Sequence, residues 1–332
     1  MTLASWLTSP LPDAAVEIAP ERVSAAALSG RPGSLRVQAY AEEALPAGAV
    51  TARLGAQNIH DRSAVAAAVR AVLARVAQRP SRVALVVPDL VARVSLIRFE
   101  RVPSRRDDLD RLVEWQVRKS APFPIDEACV TYTPGRSGAD GVELVALVAR
   151  RDVIQEYEQA CAEAGVHAGL VDTATFSVLN LVLASPGGAA GDGLIVHMRP
   201  EYTSIAIVRD GDLIFFRNRP EEDQESLTDV VHQSAMYYQD RLAGAGFARV
   251  LLGGSGRAAG ALEQARHALE ERLGMAVEAI DPTKTIALTD RISTSADLAA
   301  VLAPLAGMLV RCHHDRGAGR ARRDRRPEAV RA

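Results

Sequence analysis

Short unbroken apolar runs and longer helix-period stretches alternate along the chain. Residues 14–18, 22–28 and 35–41 read as three strands in succession. Asp61 stands at the N-cap of a helix reaching residue 78. Its Val65, Val69, Val72, Leu73 and Val76 recur at i, i+4, i+7, i+8 and i+11, and Pro80 stops it. Val83-Ala-Leu-Val-Val87 is a continuous apolar run ended by Pro88-Asp89, the pattern of a strand buried on both faces. Residues 91–99 predict another strand. Ser104 and Asp107 then resemble a capping box, ahead of a helix with Leu109, Leu112, Val113 and Val117 on one face. Trp115 falls about 130° from that stripe. Pro122-Phe-Pro124 ends the helix, and residues 129–133 and 142–149 predict two strands around a glycine-rich turn. A helix over 152–164 with Gly165 at C′, a strand over 166–171 and a helix over 173–184 follow.

Ser185-Pro-Gly-Gly-Ala-Ala-Gly191 reads as a linker and as the main domain boundary. Beyond it, strands are expected at 194–198, 203–208 and 213–217, the last two joined by a tight Asp210-Gly211 turn. A helix over 226–243 leads to a strand at 250–252 that runs into Gly253-Gly-Ser-Gly256. A helix over 258–273, a strand over 277–280 and a last helix over 297–310 complete the pattern. Both halves open with strands, then a helix, then strand–helix units. The class is α/β, with mixed sheets and helices outside.

At 332 residues, two or three domains are expected. Hydrophobic residues make up 48% and charged residues 24%, which rules out wholesale disorder. The net charge of −2 argues against nucleic-acid binding by the molecule as a whole. The charge is uneven: residues 311–332 carry eight Arg against Asp315, Asp324 and Glu328. That segment reads as a disordered basic tail, with weak anionic-lipid contact as its expected use and nucleic-acid binding as the rival reading. Cys129, Cys161 and Cys312 are odd in number and far apart, so no disulfide framework is expected and the compartment reads as reducing. The first residues lack the basic region of a signal peptide. The longest apolar window, 298–310, falls short of the ~20 residues of a membrane span and contains Pro304. A soluble cytoplasmic protein is the expectation.

Candidate chemistry is sparse. Gly253, Gly254, Ser255 and Gly256 follow a strand and precede a helix, where backbone N–H groups can meet a nucleotide. The spacing is not G-x-G-x-x-G, and a plain tight strand–helix turn is the competing reading. The histidines are scattered: His313-His314 beside Cys312 and Asp315 could catch a metal, with adventitious binding the favoured reading, His197 reads as a core histidine, and His60, His167, His232 and His267 have no partner at ligand spacing. Asp107, Asp108 and Asp110 read as helix-dipole partners.

Taken together, these segments resemble the PilM family of type IV pilus assembly proteins, within the actin-like and FtsA-like ATPase superfamily. The stretches that carry the resemblance are Ala84-Leu-Val-Val-Pro88, Arg98-Phe-Glu-Arg-Val-Pro103 and Glu114-Trp-Gln-Val-Arg-Lys-Ser-Ala-Pro-Phe-Pro-Ile-Asp-Glu127. Val145-Ala-Leu-Val-Ala-Arg-Arg-Asp152, Ala164-Gly-Val-His-Ala-Gly-Leu-Val-Asp172, Thr203-Ser-Ile-Ala-Ile-Val-Arg-Asp-Gly211 and Val250-Leu-Leu-Gly-Gly-Ser-Gly256 extend it. The chain departs from the family at both phosphate motifs. Where the family has Asp-Ile-Gly followed by small polar residues, this sequence reads Val16-Glu-Ile-Ala-Pro-Glu21 and His197-Met-Arg-Pro-Glu-Tyr202. Each Pro deletes an N–H donor, and Glu21 and Glu201 place negative charge where phosphate would sit.

The resemblance implies an actin-like, ribonuclease H-like fold of two domains. The first is expected over about 12–190 behind a flexible arm, 1–11, with a small inserted subdomain near 91–167. The second is expected over 192–310 without its own extra subdomain, because residues 219–227 lead straight into a helix. No cofactor is expected, with ATP and magnesium as the alternative. The implied role is a non-catalytic scaffold of a pilus or type II secretion-like machine at the cytoplasmic face of the inner membrane. The implied partners are the cytoplasmic N-terminal peptide of a PilN-like bitopic protein and other subunits of the machine. An actin-like ATPase is the alternative. In the family the peptide docks between the first subdomain and the inserted one. Val94, Leu96, Arg111, Trp115, Lys119 and Phe123 are the residues expected to meet it, and Gly253 to Gly256 a vestigial nucleotide contact.

Overall fold

The computed structural model describes residues 12–30, 34–77, 80–138, 141–222, 225–289 and 295–324. The chain builds β1 (Ala14–Ile18), β2 (Arg22–Ser29), β3 (Arg36–Ala44), α1 (Arg62–Val76) and β4 (Arg82–Val87). An excursion through β5 (Ala92–Phe99), α2 (Arg106–Val117), β6 (Ala128–Gly138) and β7 (Gly141–Arg150) follows. The chain returns through α3 (Arg151–Glu163), β8 (His167–Thr173) and α4 (Ala174–Ala184). The second half contains β9 (Asp192–Met198), β10 (Tyr202–Arg209), β11 (Asp212–Pro220), α5 (Leu227–Arg241), β12 (Arg249–Gly254), α6 (Ala261–Leu273), β13 (Val277–Ala279), β14 (Ala287–Leu288) and α7 (Ala296–Asp324).

Two mixed sheets result, with strand orders β14-β3-β2-β1-β4-β8 and β11-β10-β9-β12-β13. The unbroken apolar strands are central: β1 pairs antiparallel with β2 and parallel with β4, and β9 lies between β10 and β12. Helices α1 and α3 cover one face of the first sheet. The predicted stripe of α1 is buried there with Tyr157 and Cys161 of α3, and Asp61 caps α1 through the Ala64 N–H at 2.9 Å. Helices α5 and α6 cover the outer face of the second sheet through Val230, Val231, Tyr238 and Leu269. Helices α4 and α7 are sandwiched between the sheets, with Val178, Leu305 and Leu309 sharing one core with Ile195 and Leu251. These two helices approach so closely that a Cβ at Gly307 would overlap the Ser177 carbonyl oxygen.

The third sheet, β5-β7-β6, forms the inserted unit. Its face carrying Ile97, Leu144, Ala146 and Val148 packs on α2. Its other face carries Val94, Leu96, Val145 and Leu147 and joins the main core near Phe176 and Phe216.

Three expectations are corrected, and one short strand was not anticipated. The inserted unit ends at Arg150, not near 167, because α3 packs on α1 and β8 pairs with β4 in the first sheet. The helix expected to stop at Val310 continues to Asp324, so residues 311–324 are not a disordered tail; Cys312 and His313 are buried, and the Arg311 guanidinium meets Asp172 at 2.5 Å. The Ser104–Asp107 capping box does not form. Helix α2 starts one residue later than that box needs, with an extended Arg105 at its N-cap and Asp107 and Asp108 in its first turn. Strand β14, which closes the edge of the first sheet beside β3, is too short to register as a pattern. The expected arm, 1–11, and residues 325–332 lie outside the described residues. Within those residues, β11 ends at Pro220 and α5 begins at Leu227. No helix among the described residues is long and apolar enough to cross a membrane.

Candidate functional site

The two halves meet at two equivalent hairpin turns, Ala19 to Glu21 between β1 and β2, and Arg199 to Glu201 between β9 and β10. Each is closed by a backbone bond, Ala19 N–H to Arg22 O at 3.0 Å and Arg199 N–H to Tyr202 O at 2.8 Å. Glu17 lies inside β1 in an otherwise apolar run and is only 2% exposed. It accepts a bond from the Arg199 Nη2 of the opposite half at 2.6 Å and a longer one from Ser24 Oγ at 3.3 Å. Burial opposes the charge on Arg199, but the carboxylate of Glu17 and its neighbours outweigh this and raise its pKa. The pair is thus a buried cross-domain ion pair, with each charge neutralised by the protein itself.

A second cross-domain node sits beside it. Asp89, just after β4, accepts from the Thr175 N–H of α4 at 2.9 Å and from Ser204 Oγ of β10 at 2.5 Å. Asn218 of β11 donates to Ser204 Oγ at 2.8 Å. Burial pushes the Asp89 carboxyl above the usual carboxylate range, against the hydrogen bonds that favour its charge. His197 has Nδ1 at 2.8 Å from Thr175 Oγ1 and no partner for Nε2 among the described residues. Burial, and then the Arg199 charge, bring its pKa down to about 3, so the imidazole is neutral at ordinary pH.

At the mouth of this junction a cavity of about 820 Å³ is lined by Pro20, Glu21, Glu201, Glu222, Arg53 and Arg257 among others. Burial raises the pKa of Glu201, and the facing Glu21 adds to that. A second groove, about 430 Å³, runs between Thr133 of the inserted sheet, Phe176, Asn180 and Leu183 of α4, and Val310, Arg311 and His314 of α7. The Arg311–Asp172 pair lies in its wall; burial raises the pKa of Asp172, and Arg311 counters this.

Residues 15–240 match the family described as type IV pilus assembly protein PilM. The chain belongs to this family. Its structure is similar to that of a PilM–PilN type IV pilus biogenesis complex chain, with a TM-score of 0.77 at 17% identity, covering 92% of this chain and 99% of that one. More distant likenesses are the cytoplasmic domain of EpsL, an inner-membrane component of the type II secretion system of Vibrio cholerae, and the ethanolamine utilization protein EutJ of Carboxydothermus hydrogenoformans. The first has a TM-score of 0.48 at 9% identity, covering 91% of this chain and 94% of that one. The second has a TM-score of 0.46 at 11% identity, covering 92% and 93%. The fold is that of the PilM–PilN complex chain.

The two hairpins hold the stretches Val16 to Glu21 and His197 to Tyr202, which the sequence resemblance set against the family's phosphate motifs. Gly253 to Gly256 lie at the end of β12, where Gly253 pairs with His197 and Gly254 with Met198 of β9. Gly254 has φ +97°, and a Cβ there would overlap the Met198 carbonyl oxygen, so packing against β9 by itself demands a glycine. The residues expected to meet a PilM partner do not converge. Val94 and Leu96 pack against the main core, Phe123 packs in the core under α2, and Arg111, Trp115 and Lys119 point outward from α2. Sheets have two faces, and these residues were drawn from both. The groove residues Thr133, Asn180 and Leu183 were missed because each looks ordinary in its own element. Asp89, Thr175 and Ser204 were missed too, although a polar residue inside an apolar run is a readable signal, and Glu17 shows the same signal in β1.

Proposed function

We propose that this PilM-family chain is a non-catalytic adaptor of a pilus or related secretion assembly, held in its working shape without nucleotide. The observation that carries this is the Glu17–Arg199 ion pair at 2.6 Å, buried between the two phosphate turns. The actin-like fold implies Mg-ATP at this junction, and the residues present do not fit it. Glu17 already occupies Arg199, the buried cation between the two turns. Pro20 and Pro200 lack N–H donors, and Glu21 and Glu201 repel phosphate. His197, neutral and desolvated, takes the place of the family's carboxylate.

The partner in this reading is the cytoplasmic N-terminal peptide of a PilN-like bitopic protein. It seats in the groove between the inserted sheet and α4 and α7, at Thr133, Asn180, Leu183 and His314. The groove's place between the first subdomain and the inserted one supports this, as does the likeness to a PilM–PilN complex chain. The protein then works at the cytoplasmic face of the inner membrane, recruited by its partner. The test is fluorescence anisotropy of a labelled PilN-like N-terminal peptide. Binding is expected without nucleotide, unchanged by Mg-ATP, and reduced at least tenfold by Leu183→Glu. Binding that requires ATP, or that Leu183→Glu leaves intact, contradicts the reading.

A further inference from the structure

Helix α4 is apolar at all but three positions, Thr175, Ser177 and Asn180, and seven of its eleven residues are buried between the two sheets. The four that are not, Phe176, Asn180, Leu183 and Ala184, stand at i, i+4, i+7 and i+8 and so share one face. The same four line the groove of about 430 Å³. Thr175 bonds Asp89 and His197 in the cross-domain node, and Ser177 is buried where α7 passes at Gly307. Asn180 makes no hydrogen bond among the described residues, and its half-buried carboxamide stays open to solvent in the groove. Asn is a poorer helix former than Leu, so an unused carboxamide inside an apolar helix is a choice that folding does not ask for.

The other walls fit the same chemistry. Val310 of α7 adds apolar surface, and Arg311 is already engaged by Asp172 at 2.5 Å. Thr133 belongs to β6, an edge strand of the inserted sheet that pairs with β7 alone. It stands opposite Val145, on the face turned to the main core. An edge strand presents unpaired N–H and C=O groups. The groove therefore combines apolar surface, a strand edge and one open carboxamide, a combination that suits a ligand with a bare main chain and apolar side chains. A helix keeps its N–H and C=O groups to itself, whereas an extended chain turns both groups of every second residue to one side.

We propose that Asn180 clamps the main chain of an extended peptide in this groove. Its Oδ1 accepts from the N–H, and its Nδ2 donates to the C=O, of one peptide residue, while neighbouring apolar side chains seat over Phe176 and Leu183. This deepens the peptide reading above and rests on it. The test uses the labelled PilN-like N-terminal peptide and a set of versions each methylated at one backbone nitrogen, which deletes one donor and leaves every side chain in place. Asn180→Leu is expected to weaken binding of the unmethylated peptide at least tenfold, with a melting temperature no lower than that of the parent chain. One methylation is expected to cost the parent chain at least tenfold and to cost Asn180→Leu nothing further, because both changes remove the same bond. Binding to Asn180→Leu as tight as to the parent chain overturns the proposal. So do methylation losses that add to the loss from Asn180→Leu at every position, and so does a peptide that turns helical on binding, read by circular dichroism. A parent chain that does not bind the unmethylated peptide overturns the peptide reading as well.

Discussion

Glu17 and Arg199 join the two halves of the molecule through a buried ion pair. Both are almost fully buried, and each is the other's compensation. Removing one leaves an unpaired charge in the junction, which costs about 3–5 kcal/mol, whereas replacing both with apolar residues of similar size removes the pair's desolvation penalty as well. Glu17→Ala and Arg199→Ala are each expected to lower the unfolding free energy by about that much in urea titrations. Glu17→Leu with Arg199→Met is expected to restore most of the loss. A double variant as unstable as the sum of the singles would mean the two side chains do not act as a pair. Glu17 is a lone carboxylate in the apolar run 14–18, a signal the sequence reading passed over. Its partner, 182 positions away, was visible only as a loss of glycine. Pairing at that separation follows from the stacking of two sheets on α4 and α7, which no local pattern encodes.

At the scale of elements, periodicity located the helices and central strands because burial on one or both faces dictates their composition. It failed where burial changed character along one element. Helix α7 is apolar to Val310 and then arginine-rich, so composition suggested an end. The backbone continues, because Cys312 and His313 still face the body and Arg311 pairs with the buried Asp172. Deleting residues 311–332 is therefore expected to lower the melting temperature by several degrees, since it leaves Asp172 buried without its cation. Deleting only 325–332 is expected to change nothing. Equal melting curves for both deletions would show that the first turn beyond Val310 contributes no stability. The inserted subdomain teaches the same lesson differently. Alternation in β5 marked Val94 and Leu96 as sharing a face, but whether that face is free or covered depends on β11 and α4, which lie far along the chain.

For the whole molecule, the account is that of an actin-like PilM-family body whose two halves are joined by protein groups where the fold's nucleotide would act. The cross-domain contacts of Glu17 with Arg199, and of Asp89 with Ser204 and Thr175, supply that join. In the proposed reading, the groove beside α4 then seats the partner peptide. Isothermal titration calorimetry with Mg-ATP tests the centre of this account most directly. Two missing donors and two facing carboxylates remove interactions worth about 1.5–3 kcal/mol each. The account therefore predicts no saturable heat at millimolar Mg-ATP; a saturable isotherm with a micromolar dissociation constant would contradict it.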